Sequence, residues 1–227
     1  MHKEVTAMTK RVKTEELFDC TTPYLQDLFD ACTYPWEMLP IINAHIKQLL
    51  LTGIDGFTEI TEGVLVGENV TIHPSAVIIA PAIIGSDTEI RPGAYLRGNV
   101  ITGRNCVIGN SSELKNCILL EKVQVPHYNY VGDSILGNFA HMGAGSICSN
   151  LKSDGTNVVI RGETDYKTGL RKIGGILGDY ADVGCSCVLN PGTVIGKHTS
   201  VYPLNALRGV FPSGCIVKSM DNIVKRQ

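Results

Sequence analysis

The side chains of this chain whose types could do chemistry are six histidines, eight cysteines and a scatter of cations. Histidine is the natural proton acceptor near neutral pH. His127 stands among other useful groups, in Pro126-His127-Tyr128-Asn129-Tyr130 followed by Gly132-Asp133. Arg91, Arg97 and Lys115 lie upstream and could hold an anion. His73 and His198 read as surface residues, and His45 as a structural one. The cysteines form no C-x-x-C pair. On a strand, Cys185 and Cys187 would share a face, which suits packing better than a zinc site.

The elements that must position these groups announce themselves by a period of six. Val66, Ile72, Ile78, Ile84, Ile90, Leu96, Thr102, Ile108, Leu114, Leu120 and Pro126 stand six apart, and nearly all are Val, Ile or Leu. After a slip the phase restarts at Leu136, and again at Leu177. Glycine often follows the apolar residue, and a small residue such as Ala94, Cys106 or Ser112 stands four places on. A helix would repeat near 3.6 and a lone strand near two. Six fits short strands with one large and one small inward side chain, joined by sharp corners, which is a solenoid. Glycine reaches the corner conformations at least cost.

This pattern resembles that of the hexapeptide-repeat transferases, in which three hexads make one triangular coil of 18 residues. The fold class implied is all-β, a left-handed parallel β-helix over 57–217, with an N-terminal helical segment over 1–56 and a tail over 218–227. Residues eighteen apart then stack about 4.8 Å apart in adjacent coils. Arg91, Gly109 and His127 fall in one column, with His73 one coil beyond. Arg97 and Lys115 fall in a second. Stacked like charges repel unless solvent screens them or an anion such as phosphate sits between them.

Residues 1–12 read as a polar, frayed end. Thr22-Pro23 reads as a helix start, and Tyr34-Pro35-Trp36 as a second, with Ile41, Ile42, Ile46, Leu49 and Leu50 at helical spacing and Gly53 as the stop. These helices are expected to cover the open end of the solenoid. The repeat lapses over 149–176, a loop carrying Lys152, Arg161, Lys167, Arg171 and Lys172. It is expected to reach over a neighbouring subunit and help hold an anionic ligand.

A net charge of −2 leaves no basic stripe for nucleic acid. No apolar run approaches the roughly 20 residues of a membrane helix. The N-terminus lacks the apolar core of a secretory signal. Reduced thiols and a cytoplasmic protein are the expectation.

A narrower likeness follows. RPGAYLRG, then SELKNC, then PHYNYVGDSILGNFAHMGAGSICSN resembles, in order and spacing, the acetyltransferase half of bifunctional N-acetylglucosamine-1-phosphate uridyltransferases. TGLRKIGGILGD looks more like the C-terminal region of archaeal sugar-1-phosphate nucleotidylyltransferases that carry an acetyltransferase. The resemblance implies His127 as catalytic base, Arg91, Lys115 and Tyr130 as holders of the sugar phosphate, and Asn150 as a substrate contact. His141 stands where the family has an asparagine. Cys185, Tyr202 and Lys172 would lie along the acetyl-CoA path; the family lysine that follows the C-N pair has no clear counterpart, and Lys167, Arg171 or Lys172 would replace it. It also implies a homotrimer.

The chemistry is coherent. An amino sugar arrives as an ammonium ion, and a base must take a proton as the amine attacks the thioester. General-base help is worth about 10²–10⁴-fold. The function expected is transfer of acetyl from acetyl-CoA to an amino-sugar 1-phosphate such as glucosamine 1-phosphate. The alternatives are an inactive trimer serving as an assembly or regulatory module, and a transferase of longer acyl chains. A zinc hydratase on this fold is not expected, because His73 and His127 would lie three coils apart, about 14 Å.

Overall fold

A computed structural model describes residues 10–226. The expected fraying of residues 1–12 lies mostly outside the described residues. Within that stretch Val12 is buried. The fold is the parallel β-helix that the hexads predict, left-handed, with three walls around a core of Val, Ile and Leu. The small hexad positions are buried too, and their hydroxyls bond corner carbonyls: Ser112 to Val125 O at 2.8 Å, Thr199 to Pro212 O at 2.6 Å. These buried hydroxyls are thereby satisfied.

The first wall, here the His wall, is a nine-stranded sheet that includes Glu89–Ile90, Val107–Asn110, Gln124–His127, His141–Met142, Asp182–Val183 and Ser200–Val201. The strands Glu113–Leu119 and Tyr130–Leu136 turn a corner and serve the other two walls. Their first halves belong to the Tyr wall and their second halves to the covered wall.

Coil length departs from eighteen midway along the solenoid. Val64 pairs with Ala82 and Ala82 with Val100, but Val100 pairs with Cys117 and Cys117 with Ser134. Those last two coils have seventeen residues. Leu119 and Val125 therefore point inward, where Leu120 and Pro126 were expected. The missing residue is at the corner between the Tyr and covered walls. There Asn116 and Asp133 each make the turn alone, at φ +48°.

On the covered wall Leu65, Ile83, Ile101, Ile118, Ile135, Ile176, Val194 and Val210 point outward and are buried. Helices α1 (Thr14–Leu17), α2 (Pro23–Ala31) and α3 (Ile42–Thr52) lie on this row with Leu25, Leu28, Phe29, Ile42 and Ile46. Each large side chain so buried is worth about 1.5–3 kcal/mol. The helices thus cover a side of the solenoid and not its open end. The ends are closed by antiparallel strands instead: Thr58–Thr61 against Val64–Val66, and Asn222–Lys225 against Cys215–Ser219. The expected C-terminal tail is in part that closing strand.

Thr22 is the N-cap of α2, although its hydroxyl makes no capping bond. The start at Pro35 yields only a 3₁₀ turn over Pro35–Glu37, and α3 begins after Pro40, which cannot sit inside a continuing helix. Gly53 ends α3 at φ +77°, as expected.

The 149–176 loop folds back on its own chain. It forms a hairpin, Val159–Arg161 with Asp165–Lys167, and buries Val158, Ile160 and Ile173 on the covered wall. Tyr166 packs against Tyr34 and Trp36, with ring centroids 5.5 and 5.8 Å apart. The insertion is thus a packed hairpin and not a structureless excursion, because its apolar residues have a partner surface on their own chain.

Candidate active site

His127 ends a strand of the His wall and stands exposed at the corner before Tyr130. Asn129 holds this corner from inside. Its Oδ1 accepts the His127 N–H at 3.0 Å, and its Nδ2 donates to Gly143 O at 2.9 Å and Ser146 O at 3.1 Å. Among the described residues the His127 imidazole has no hydrogen-bond partner.

Across the corner, on the Tyr wall, three of the expected residues come together. Asn150 Nδ2 donates to Tyr130 Oη at 3.2 Å and to Asp133 Oδ2 at 2.5 Å. Lys115 Nζ lies 3.5 Å from Asp133 Oδ2. Asn116 Nδ2 donates to Asp133 Oδ1 at 2.9 Å. Gly132 makes room for the phenol, since a Cβ there would run into the Tyr130 ring. Burial, then the charge of Asp133, pushes the Tyr130 hydroxyl upward, so it stays a neutral group.

The columns need two corrections. The seventeen-residue coil puts His127 in register with Asn110, so Arg91 stacks over Gly109 and not beneath His127. Arg91 and His127 still share the His wall, two coils apart. The register does set Arg97 beside Lys115. Carboxylates meet their charges: Arg97 pairs with Glu113 at 2.6 Å, Lys115 with Asp133, and Arg91 with Glu89 at 3.0 Å.

Ala144 and then Cys185 continue the corner from His127. Gly145 N donates to His127 O, Ser186 N to Ala144 O and Leu204 N to Cys185 O, at 2.8–3.0 Å. Cys185 is therefore two coils from His127, about 10 Å. It is exposed, and Tyr202 is half-exposed beside this row. Lys172 stands apart from these two. It lines a cleft of about 520 Å³ with Asn116, Asp133, Leu39 and Arg171, at the far end of the Tyr wall. His141 is on the His wall, away from Tyr130, with Nδ1 2.8 Å from Asp182 Oδ1. Asp133 and Asn116 join the expected residues here, although neither has a role assigned from the sequence. The signal for Asp133 was present, since it closes the Tyr-x-Gly-Asp run.

Among the described residues no helix is long and apolar enough to cross a membrane. The family model for the GMPPB C-terminal domain matches residues 78–168. The chain is 30% identical over 226 residues to the bifunctional protein GlmU of Methanococcus vannielii, covering 97% of this chain and 54% of that one. It is 30% identical over 175 residues to a bifunctional sugar-1-phosphate nucleotidylyltransferase/acetyltransferase of Sulfurisphaera tokodaii, covering 74% and 43%. Among solved structures, the acetyltransferase domain of PglB from Neisseria gonorrhoeae in complex with acetyl coenzyme A matches with a TM-score of 0.35 at 14% identity, covering 82% of this chain and 66% of that one. The chain spans about half the length of the curated relatives it matches.

Proposed function

We propose that this chain, a hexapeptide-repeat domain resembling the acetyltransferase of GlmU, transfers acetyl from acetyl-CoA to the amino group of an amino-sugar 1-phosphate. The observation that carries the reading is the meeting of Lys115, Tyr130 and Asn150 around Asp133, one corner away from an exposed His127. The chemistry of that cluster suits a sugar phosphate. Lys115 offers charge and N–H groups to the phosphate, Tyr130 and Asn150 offer bonds to hydroxyls, and the amino group would lie toward His127.

In the reaction the acceptor ammonium gives up a proton, and the amine attacks the thioester carbonyl. The tetrahedral intermediate loses a second N–H proton to His127. The C–S bond breaks, and the sulfur takes a proton to leave as free CoA. Amide, CoA thiol and one released proton balance the ammonium and thioester. Holding amine and thioester together removes association entropy from the barrier. The row Ala144, Cys185 and Tyr202 running from His127 is the track we assign to acetyl-CoA. A homotrimer fits the open Tyr wall, where Val77, Ile79 and Tyr95 leave apolar surface for a neighbouring copy.

The second reading, an inactive assembly module, draws on one observation: no carboxylate orients the His127 ring among the described residues. One pair of measurements separates the two. CoA at a hundredfold excess over its dissociation constant should stabilise the protein by about 2.7 kcal/mol. His127→Ala should keep the fold and lose about 10²–10⁴-fold in acetyl transfer, followed as thiol release. Absence of any thermal shift at millimolar CoA would favour the module, and full turnover by the variant would remove His127 as base.

A further inference from the structure

We propose that Asp133 is the positioning residue of the acceptor site, the group that sets Lys115 and Asn150 for the ligand. This rests on the reading of that cluster as the acceptor site.

Asp133 is a carboxylate only 6% exposed. Such a group is costly to bury unless its oxygens are paired, and here each is. Oδ1 takes the Asn116 amide, and Oδ2 takes the Asn150 amide with Lys115 Nζ at 3.5 Å. Those bonds fix what remains. With its NH₂ group turned to Asp133 and Tyr130, Asn150 keeps its carbonyl oxygen for a ligand. With one N–H drawn to Asp133, Lys115 keeps the other two.

Asp133 also closes both ends of the inserted segment. Asn150 opens the insertion and bonds the carboxylate. Gly174 ends it and donates its N–H to Asp133 O at 2.7 Å, while Ile173 N donates to Asn150 O at 3.0 Å. The insertion therefore enters and leaves the solenoid at one residue, and that residue orients the site. The shortened corner makes this possible. With one residue fewer, the coil turns at Asp133 itself, in the left-handed region that aspartate tolerates better than most side chains.

An asparagine at 133 has one acceptor oxygen for two amide donors. One of the two partner carboxamides must then rotate, and Lys115 loses its anchor. A residue that merely held the insertion would, when changed, lower the active fraction and leave both KM values alone.

The test is the kinetics of Asp133→Asn and Asn116→Ala beside wild type, with glucosamine 1-phosphate and acetyl-CoA. Asp133→Asn should raise the acceptor KM about 10- to 100-fold, the scale of a hydrogen bond to a charged group. The acetyl-CoA KM should move by less than about threefold on the same scale. Asn116→Ala, which loosens only one side of the carboxylate, should raise the acceptor KM by less, and it carries the test alone if Asp133→Asn does not fold. A fall in kcat with both KM values unchanged overturns the proposal, as does an unaltered acceptor KM in both variants. If wild type turns nothing over, the transferase reading fails separately. The positioning claim is then decided by calorimetric titration of glucosamine 1-phosphate. Weaker binding by the variant supports it, and equal binding, or none by wild type, overturns it.

Discussion

The strand Glu113–Leu119 crosses from one wall to the next, and its two halves obey different rules. On the Tyr wall Glu113 and Lys115 point out into solvent, paired with Arg97 and Asp133. Past the corner, Cys117, Ile118 and Leu119 are buried on both faces, because α2 and α3 lie over the outward row. Strand Tyr130–Leu136 repeats the contrast with Tyr130 in the first half and Ile135 in the second. One backbone can thus supply a covered apolar wall and an open polar one. The difference is whether a second layer covers it. Cover permits apolar residues everywhere, and its absence leaves polar groups free for a ligand.

The sharpest way to break this comparison is to charge the covered half. Ile118→Asp would bury an unpaired carboxylate under the helices and should cost about 4 kcal/mol or more. Lys115→Ala, three residues earlier on the same strand, should cost less, about 1–3 kcal/mol, because its side chain is partly solvated and the Asn116 and Asn150 amides still pair the buried Asp133 carboxylate. Urea denaturation of the two variants checks both figures. A small loss for Ile118→Asp would mean that the helices are not a true second layer.

The contrast was half-legible in the sequence. The hexads predict the solenoid, since no helix or sandwich keeps a period of six. The triplets Val64-Leu65-Val66, Ala82-Ile83-Ile84 and Cys117-Ile118-Leu119 carry the other half: a strand apolar at three successive positions needs cover on both faces. Only the alternate positions entered the period, so the helices were expected at the end of the coil. The shift of register has a different cause. Losing one residue at Asn116 leaves the apolar pattern nearly intact, because Leu119 and Leu120 are both leucine, yet it moves His127 from the Gly109 column to that of Asn110. The motif that singles out His127, Tyr130, Lys115 and Asn150 does not depend on counting coils, and the last three do meet around Asp133. The carboxylates are harder to read from the sequence, because each cation's partner stands two residues away or one coil over.

A milder perturbation falls on the Tyr wall. Gly132→Ala puts a methyl group against the Tyr130 ring, where there is no room. The ring must tip away, at a cost of about 1–3 kcal/mol for an overpacked contact. The acceptor KM should rise about tenfold through loss of the Tyr130 contact, with little change in that of acetyl-CoA. An unchanged acceptor KM would separate Tyr130 from the ligand and return the Tyr wall to mere surface.

The smallest effect extends the comparison to two aspartates three residues apart. Asp179 is covered: it is 1% exposed, takes the Asp19 and Asn138 N–H groups at 2.8 Å and lies 3.4 Å from Lys197. Burial, the largest influence, pushes its carboxyl above the ordinary value of 3.8. Asp182 is open on the His wall, and its hydrogen bond with His141 pulls its carboxyl below 3.8. The signs of their pH dependence must then differ. For Asp179, with the folded value raised, stability is fully present below the unfolded value and is lost as pH rises through the raised one. For Asp182, with the folded value depressed, stability is present above the unfolded value and is lost as pH falls through the depressed one. Measured as wild type minus Asn variant, the unfolding free energy should rise on acidification for Asp179 and fall for Asp182. The Asp182 change should stay below about 1 kcal/mol, since solvent screens an exposed pair. Changes of the same sign at both residues would mean that cover by α1 and its neighbours does not govern the charge beneath it.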